Sequence, residues 1–199
     1  MSRTITPIAN ILFNPRLGYT AYIYDASCPL LRQIYRPSVP HQRIHQFALS
    51  LLPHLSSTPA PKEESFLPHP ATIFSWTHSD QPGQLHHDSL DQPDSLRLMH
   101  STIACASSEL EYLLGARARR QGSGWLALVD ERAPLLYGRA PDPDDTIGMV
   151  QCQEGLVLPT TYDPMPTYRL VSPLGIFSLP KPLYQPFIKA LIALQTSPA

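Results

Sequence analysis

The block from Trp125 to Gly138 constrains the fold of this chain more than any other stretch. Trp125-Leu-Ala-Leu-Val129 is an apolar run, Asp130-Glu-Arg-Ala133 is polar, and Pro134-Leu-Leu-Tyr-Gly138 is apolar again. Short apolar runs separated by turn-forming residues read as strand, turn, strand. A helix precedes them. Leu110, Leu113 and Leu114 form its inward stripe, and Ser108 with Glu111 makes a capping-box pattern. Arg117, Arg119 and Arg120 crowd its last turn, where the carbonyl ends of a helix favour cations, and Gly122 supplies a left-handed stop. A capped helix followed by antiparallel strands predicts an α/β chain of the α+β kind: a mixed, mainly antiparallel sheet packed against two or three helices.

The flanking segments extend this order. Tyr19–Tyr24 reads as a strand, Asp25–Pro29 as a turn and Leu30–Arg36 as the return strand of a hairpin. Ser38–Leu55 is expected to be a helix. Ser38 would cap it, Pro40 lies in the first turn, and Ile44, Phe47, Ala48, Leu51 and Leu52 share one face. Residues 54–70 and 78–95 are polar and rich in Ser, Pro, Asp and Glu, so they are expected as surface loops or insertions around a short strand at Ala71–Thr77. Leu96–Ile103 fits either a strand or a helix start. After the central block come a turn at Asp142–Asp145, a strand at Thr146–Gln153, a break at Glu154-Gly155 and a strand at Leu156–Leu158. A hairpin, Tyr168–Val171 with Gly175–Ser178, follows. A closing helix at Leu183–Leu194 would pack Phe187, Ile188, Leu191 and Ile192. The length of 199 residues suits a single domain over 1–199.

Charge and cysteine content narrow the function. Charged residues make up 16% of the chain, below the usual quarter, and the net charge is -1. Broad nucleic-acid binding needs clustered cations, so only a local basic patch remains open to that role. A hydrophobic fraction of 43% with so little charge suits a subunit covered within an assembly. Cys28, Cys105 and Cys152 are sparse and odd in number, which gives neither a disulfide framework nor a zinc module. The expected setting is reducing and intracellular, cytoplasmic or nuclear. The opening Met1–Pro7 lacks the apolar run of a signal peptide, and no window has the length of a transmembrane helix.

No residue pattern specifies catalysis, and no cofactor or metal is expected. His86-His87-Asp88, with Asp80 and Asp91 nearby, offers nitrogen and oxygen ligands at a spacing that matches no known metal site. His41 and His45 would need Glu between them for a zinc protease, and position 42 is Gln. His100 and Cys105 lack a third group, so Cys105 reads, like Cys28 and Cys152, as a small hydrophobe. Gly122-Ser-Gly-Trp125 follows its helix, whereas phosphate loops precede theirs. Asp142–Asp145 and Glu154 read as turn residues. Two interaction candidates remain. Arg117, Arg119, Arg120, Arg132 and Arg139 would form a basic edge for an acidic protein, a lipid headgroup or RNA. The Pro-rich run Pro159–Pro166, with Tyr162, Met165 and Tyr168, would be a docking segment.

Several pieces resemble a known family. Tyr22-Ile-Tyr-Asp-Ala-Ser-Cys-Pro-Leu30 is similar to the polar turn ending in Pro-Leu of the longin or profilin-like small subunits of the TRAPP vesicle-tethering complex. His41-Gln-Arg-Ile-His-Gln-Phe47 resembles the start of the helix that follows there. Leu128-Val-Asp-Glu-Arg132 and Leu136-Tyr-Gly138 resemble strand elements of the family. Residues 54–95 have no counterpart in its compact members, and 155–180 replaces a helix pair with Pro-rich strand material. The resemblance implies scaffold assembly in intracellular trafficking. The expected function is thus a non-catalytic structural or adaptor subunit of a hetero-oligomer, acting through protein partners. The alternative is a subunit of a nucleic-acid-processing complex that uses the arginine edge.

Overall fold

The computed structural model describes residues 3–5, 7, 9–14, 19–25, 45–52, 55–57, 69–79, 90–132, 142–172 and 174–196. In chain order the elements are β1 (Arg3–Ile5), β2 (Ala9–Asn14), β3 (Tyr19–Asp25), β4 (His45–Ser50), β5 (Leu55–Ser57), β6 (Ser75–Ser79), β7 (Leu90–Asp91), α1 (Pro93–Cys105), α2 (Ser107–Gln121), β8 (Gly124–Val129), β9 (Thr146–Gln153), β10 (Leu156–Pro164), β11 (Val171–Ser172), β12 (Gly175–Ile176) and α3 (Lys181–Thr196). Among the described residues every strand pairing is antiparallel and the sheets pack with three helices, so the mixed α/β class read from the sequence is the class observed.

The best-fixed unit is local. Helix α2 ends at Gly122, whose φ of 81° lets its N–H return to the Ala118 carbonyl. The chain then enters β8, which pairs with β9 (Leu126 opposite Val150), and β9 pairs with β10 (Val157 opposite Cys152). Alternation puts Leu126, Leu128, Val150, Cys152 and Val157 on one buried face, under Leu110, Leu114 and Ala118 of α2. The Ser108–Glu111 capping box does not form. The helix starts two residues earlier than that cap would place it, at Ser107, because α1 runs into it with only Ala106 between, and Ser108 turns its hydroxyl to Glu109 instead.

The β9–β10 connection is a two-residue turn, Glu154-Gly155, with φ of 51° and 79°. Two successive positive φ values define the hairpin turn whose twist matches the flanking strands. Gly155 also lies against α2. Its N–H donates to the Gly122 carbonyl at 2.6 Å, and a Cβ there would approach the Arg119 Cα at 3.4 Å.

The larger sheet has the order β2-β3-β4-β6-β7. It corrects the expected helix over 38–55: His45–Ser50 is its central strand, with Leu49 opposite Ile23 on one side and Ser75 on the other. Residues 38–44 lie outside the described residues. Helical spacing misled because Leu49, Ser50, Leu51 and Leu52 are all buried where the strand ends, and a continuous buried run satisfies a helical count as readily as a strand count. The buried Ser50 hydroxyl donates to the Thr72 carbonyl at 2.5 Å, and Tyr24 reaches the Leu52 carbonyl at 2.6 Å. Both close polar groups inside the sheet.

Other boundaries moved similarly. Ala71 and Thr72 belong to a short 3-10 turn, and the strand expected over 71–77 begins at Ser75. Leu96–Ile103 is helical, inside α1, which Pro93 opens at its first position. The polar insertions contribute β5 and β7; 58–68 and 80–89 lie outside the described residues, as do the return strands expected at 30–36 and 134–138. Phe177 joins the halves of the core, with Phe74 edge-on at 5.3 Å and Phe187 of α3 at 6.1 Å. Ile192, expected inward on α3, is 47% exposed; Leu183, Phe187 and Leu191 carry the buried stripe.

The turn generates a prediction. Glu154 holds a left-handed conformation that suits Asn better. Glu154→Asn should raise stability by about 0.5–1 kcal/mol, measured as a higher urea midpoint at unchanged m.

Candidate functional site

Two places concentrate polar or surface chemistry: a buried cluster around Arg132, and the outer face of the β8–β10 sheet.

Strand β8 ends at Val129, and Asp130, Glu131 and Arg132 turn the chain back over the core. Asp130 is 1% exposed. Its Oδ1 accepts the backbone N–H of Arg132 at 2.9 Å and of Ser178 at 2.8 Å, and its Oδ2 accepts the Tyr168 hydroxyl at 2.7 Å. The Arg132 Nε lies 3.4 Å from Asp130 and donates to Asp145 at 3.1 Å. The two terminal nitrogens donate to the carbonyls of Leu170, Gly175, Asp144 and Arg169, so every guanidinium proton has an acceptor. The Tyr168 ring lies beneath, 5.5 Å from the guanidinium carbon. Burial pushes the Asp130 carboxyl upward against the opposing pull of Arg132, and burial likewise holds the Tyr168 hydroxyl protonated.

Asp91 grips the same segment from the other sheet. Its Oδ2 accepts the Leu170 N–H at 2.8 Å, whereas its Oδ1 and the Ser95 hydroxyl are buried without a hydrogen-bond partner. Desolvation raises its carboxyl, opposed by the Leu170 and Val171 amides and by Arg169. Nearby, His100 Nδ1 meets the Tyr162 hydroxyl at 2.8 Å, and burial lowers the His100 pKa. Tyr162 fits because position 148 is glycine. A Cβ there would stand 2.6 Å from the Tyr162 ring and 2.8 Å from the Asp163 carbonyl.

These contacts redistribute the residues singled out in the sequence. The four described arginines of that set do not gather into one edge. Arg132 is internal. Arg117 donates to the Ala127 carbonyl at 2.6 Å, Arg119 and Arg120 are exposed on the last turn of α2, and Arg139 lies outside the described residues. The Pro159–Pro166 run is mostly strand β10. Of its expected docking contacts, Tyr168 is buried on Asp130, and Tyr162 and Met165 pack against the core. His100 engages Tyr162, while Cys105 is exposed, so the two form no dyad. His45 is in a strand, which removes the shared helix face expected with His41; His41 and His86-His87-Asp88 lie outside the described residues. Among the described residues no three His, Cys, Asp or Glu side chains converge as a metal-ligand set, and no helix is long and apolar enough to cross a membrane.

The second place escaped the sequence reading. The Gln151 N–H turns toward β10, where Thr161 accepts it at 2.9 Å, so the opposed residue Trp125 directs its own backbone groups away from β9. The outward carbonyls of Trp125 and Ala127 are taken by Gln121 and Arg117 of α2, which blunts that edge. The face remains open. Trp125, Gln151 and Leu158 form one row, and Gln153 and Leu156 the next. Trp125 is 47% and Leu156 69% exposed. A shallow groove of about 310 Å³ runs between Trp125, Gln151, Gln153 and Leu158. No charged residue occurs in 124–129, 146–153 or 156–162. The signal was present as the scarcity of charge on three successive strands, which carry only Asp163 near the end of β10.

No family model, curated protein or solved structure matches the chain. The TRAPP-like resemblance therefore rests on its short segments alone. One of them, 41–47, is strand from His45 onward rather than the start of a helix.

Two predictions follow from the buried groups. Arg132→Lys should destabilise the fold by about 3 kcal/mol or more, close to the effect of Arg132→Ala, because lysine cannot reproduce the planar fork and leaves Asp130 poorly compensated; urea unfolding of both variants measures this. Asp91 binds its proton more tightly in the fold than in the unfolded chain, so its contribution is most favourable in acid and declines as pH rises through the raised folded value. Asp91→Asn should therefore gain stability relative to wild type at pH near 7, and the gain should shrink toward pH ~4. A gain that grows on acidification refutes this account of Asp91.

Proposed function

We propose that this chain is a non-catalytic subunit of an intracellular protein assembly and that it binds a protein partner through the outer face of β8–β10. The carrying observation is Trp125 and Leu156, both exposed in rows of the face that hold no charged residue. Exposed aromatic and aliphatic groups with amide neighbours and no fixed charge are the composition of an interface core. Among the described residues, the buried polar groups have internal work: Asp130 and Arg132 are held by one another and by backbone, and His100 is held by Tyr162. Free Cys105 and Cys152 suit a reducing compartment. Among the described arginines of the expected edge, the nucleic-acid alternative draws on Arg119 and Arg120, since Arg117 and Arg132 are committed to carbonyls.

The test is affinity purification of tagged wild type beside the double variant Trp125→Gln/Leu156→Gln. Wild type should bring down a stoichiometric protein partner. The double variant should lose it at least tenfold while keeping the far-UV spectrum and a urea midpoint corresponding to a loss of about 1 kcal/mol or less. Wild type recovered as a partnerless monomer overturns the reading.

A further inference from the structure

We infer that the groove beside Trp125 receives an uncharged, proline-rich extended segment of the partner protein; this rests on the protein-binding reading above. The groove is small. At about 310 Å³ it holds a short stretch of peptide and not a domain. The open rows at this end of the sheet span three strands about 4.8 Å apart and roughly three residues along each, on the order of 150 Å² in projection. A stable pairing of two copies needs about 800 Å² from each. This face by itself therefore falls well short of a self-interface.

Chemistry separates the remaining occupants. A peptide added edge-to-edge would need the outward carbonyls of Trp125 and Ala127, and Gln121 and Arg117 already occupy them. A docked helix keeps its carbonyls inside its own ladder and offers the amides of Gln151 and Gln153 no backbone acceptor. A charged peptide would lose hydration over a groove whose lining holds no counter-charge. A polyproline segment meets each condition. It has no backbone N–H to leave unpaired, its carbonyls are all free to accept, and its rings lie flat against an aromatic face. The groove supplies the complement: the indole of Trp125, the Leu158 side chain, and amide donors from Gln151 and Gln153.

The test uses the full chain, labelled with nitrogen-15, and acetylated, amidated decaproline as the probe. The chain has two indoles, Trp76 and Trp125, and Trp125→Phe assigns their N–H signals. Decaproline should move the Trp125 signal saturably below millimolar concentration. Leu158→Gln should weaken that binding about tenfold with the Trp76 signal unchanged. An uncharged Ala/Gln helical peptide and an acidic peptide should move neither. No movement of the Trp125 signal by decaproline overturns the inference, as does an equal response in Leu158→Gln. A reversible dimer, seen by sedimentation and abolished by Trp125→Gln, also overturns it and makes the face a self-interface. If decaproline fails while Trp125→Gln/Leu156→Gln still loses its partner, only the proline-rich occupant falls; if both fail, the protein-binding reading falls with it.

Discussion

The guanidinium of Arg132 is the point at which the separate pieces of this chain are fixed to one another. It holds the Asp145 carboxylate just before β9 and the carbonyls of Arg169, Leu170 and Gly175 around the β11–β12 hairpin, while its own turn is anchored by Asp130. Asp130 completes the ring by taking Tyr168 and the Ser178 N–H. The next residue back from Ser178 is Phe177, whose ring bridges Phe74 and Phe187. The polar cluster and the aromatic core therefore set each other: the first fixes the backbone on either side of the hairpin, and the second gains a ring in one place. A buried ion pair roughly breaks even against apolar replacement, whereas losing one partner strands the other charge. What Arg132 supplies beyond energy is register, because five directed protons accept only one arrangement of the carbonyls around them.

Which parts were legible follows from how local their causes are. The α2–β8 junction, the β9–β10 turn and α3 are specified by neighbours in sequence: a glycine stop, a turn dipeptide, a three-four apolar spacing. Strand β4 is specified by β3 and β6, whose residues lie some two dozen positions away, and the buried run Leu49–Leu52 at its end hid the alternation that would have marked it. The site divides the same way. Arg132 looked like a surface cation beside a turn, and its partners at Arg169, Leu170 and Gly175 are 37, 38 and 43 residues distant. Tyr168 looked like a docking aromatic for the same reason; its acceptor is Asp130. A usable hint was present in a chain with so few charges, since Asp130, Arg132 and Asp145 stand at the ends of apolar strands, where a charge becomes buried unless paired.

Arg117 shows how a residue can be read correctly in type and wrongly in role. Its place near the end of α2 suits a cation, but its head reaches the outward carbonyl of Ala127, and Gln121 does the same for Trp125. The two side chains do for β8 what a further strand would do, and they block the edge against added strands. A helix lying on one face of the sheet thereby governs what can approach along the sheet's border.

That arrangement decides which surface of β8–β10 is available. The inner face is filled by α2, and the exposed edge carbonyls of β8 are capped from the same helix. What remains is the outer face, where Trp125, Leu156 and Leu158 stand among glutamines. Ordinary surfaces guard such a patch with nearby charges, and these three strands carry only Asp163, toward the end of β10. Asp130, Arg132 and Asp145 are drawn inward, to the cluster at the strand ends. The same distribution that fixes the interior thus leaves the Trp125 end of the sheet face with little electrostatic protection. Such a surface is an aggregation liability when bare and an asset only when a partner covers it.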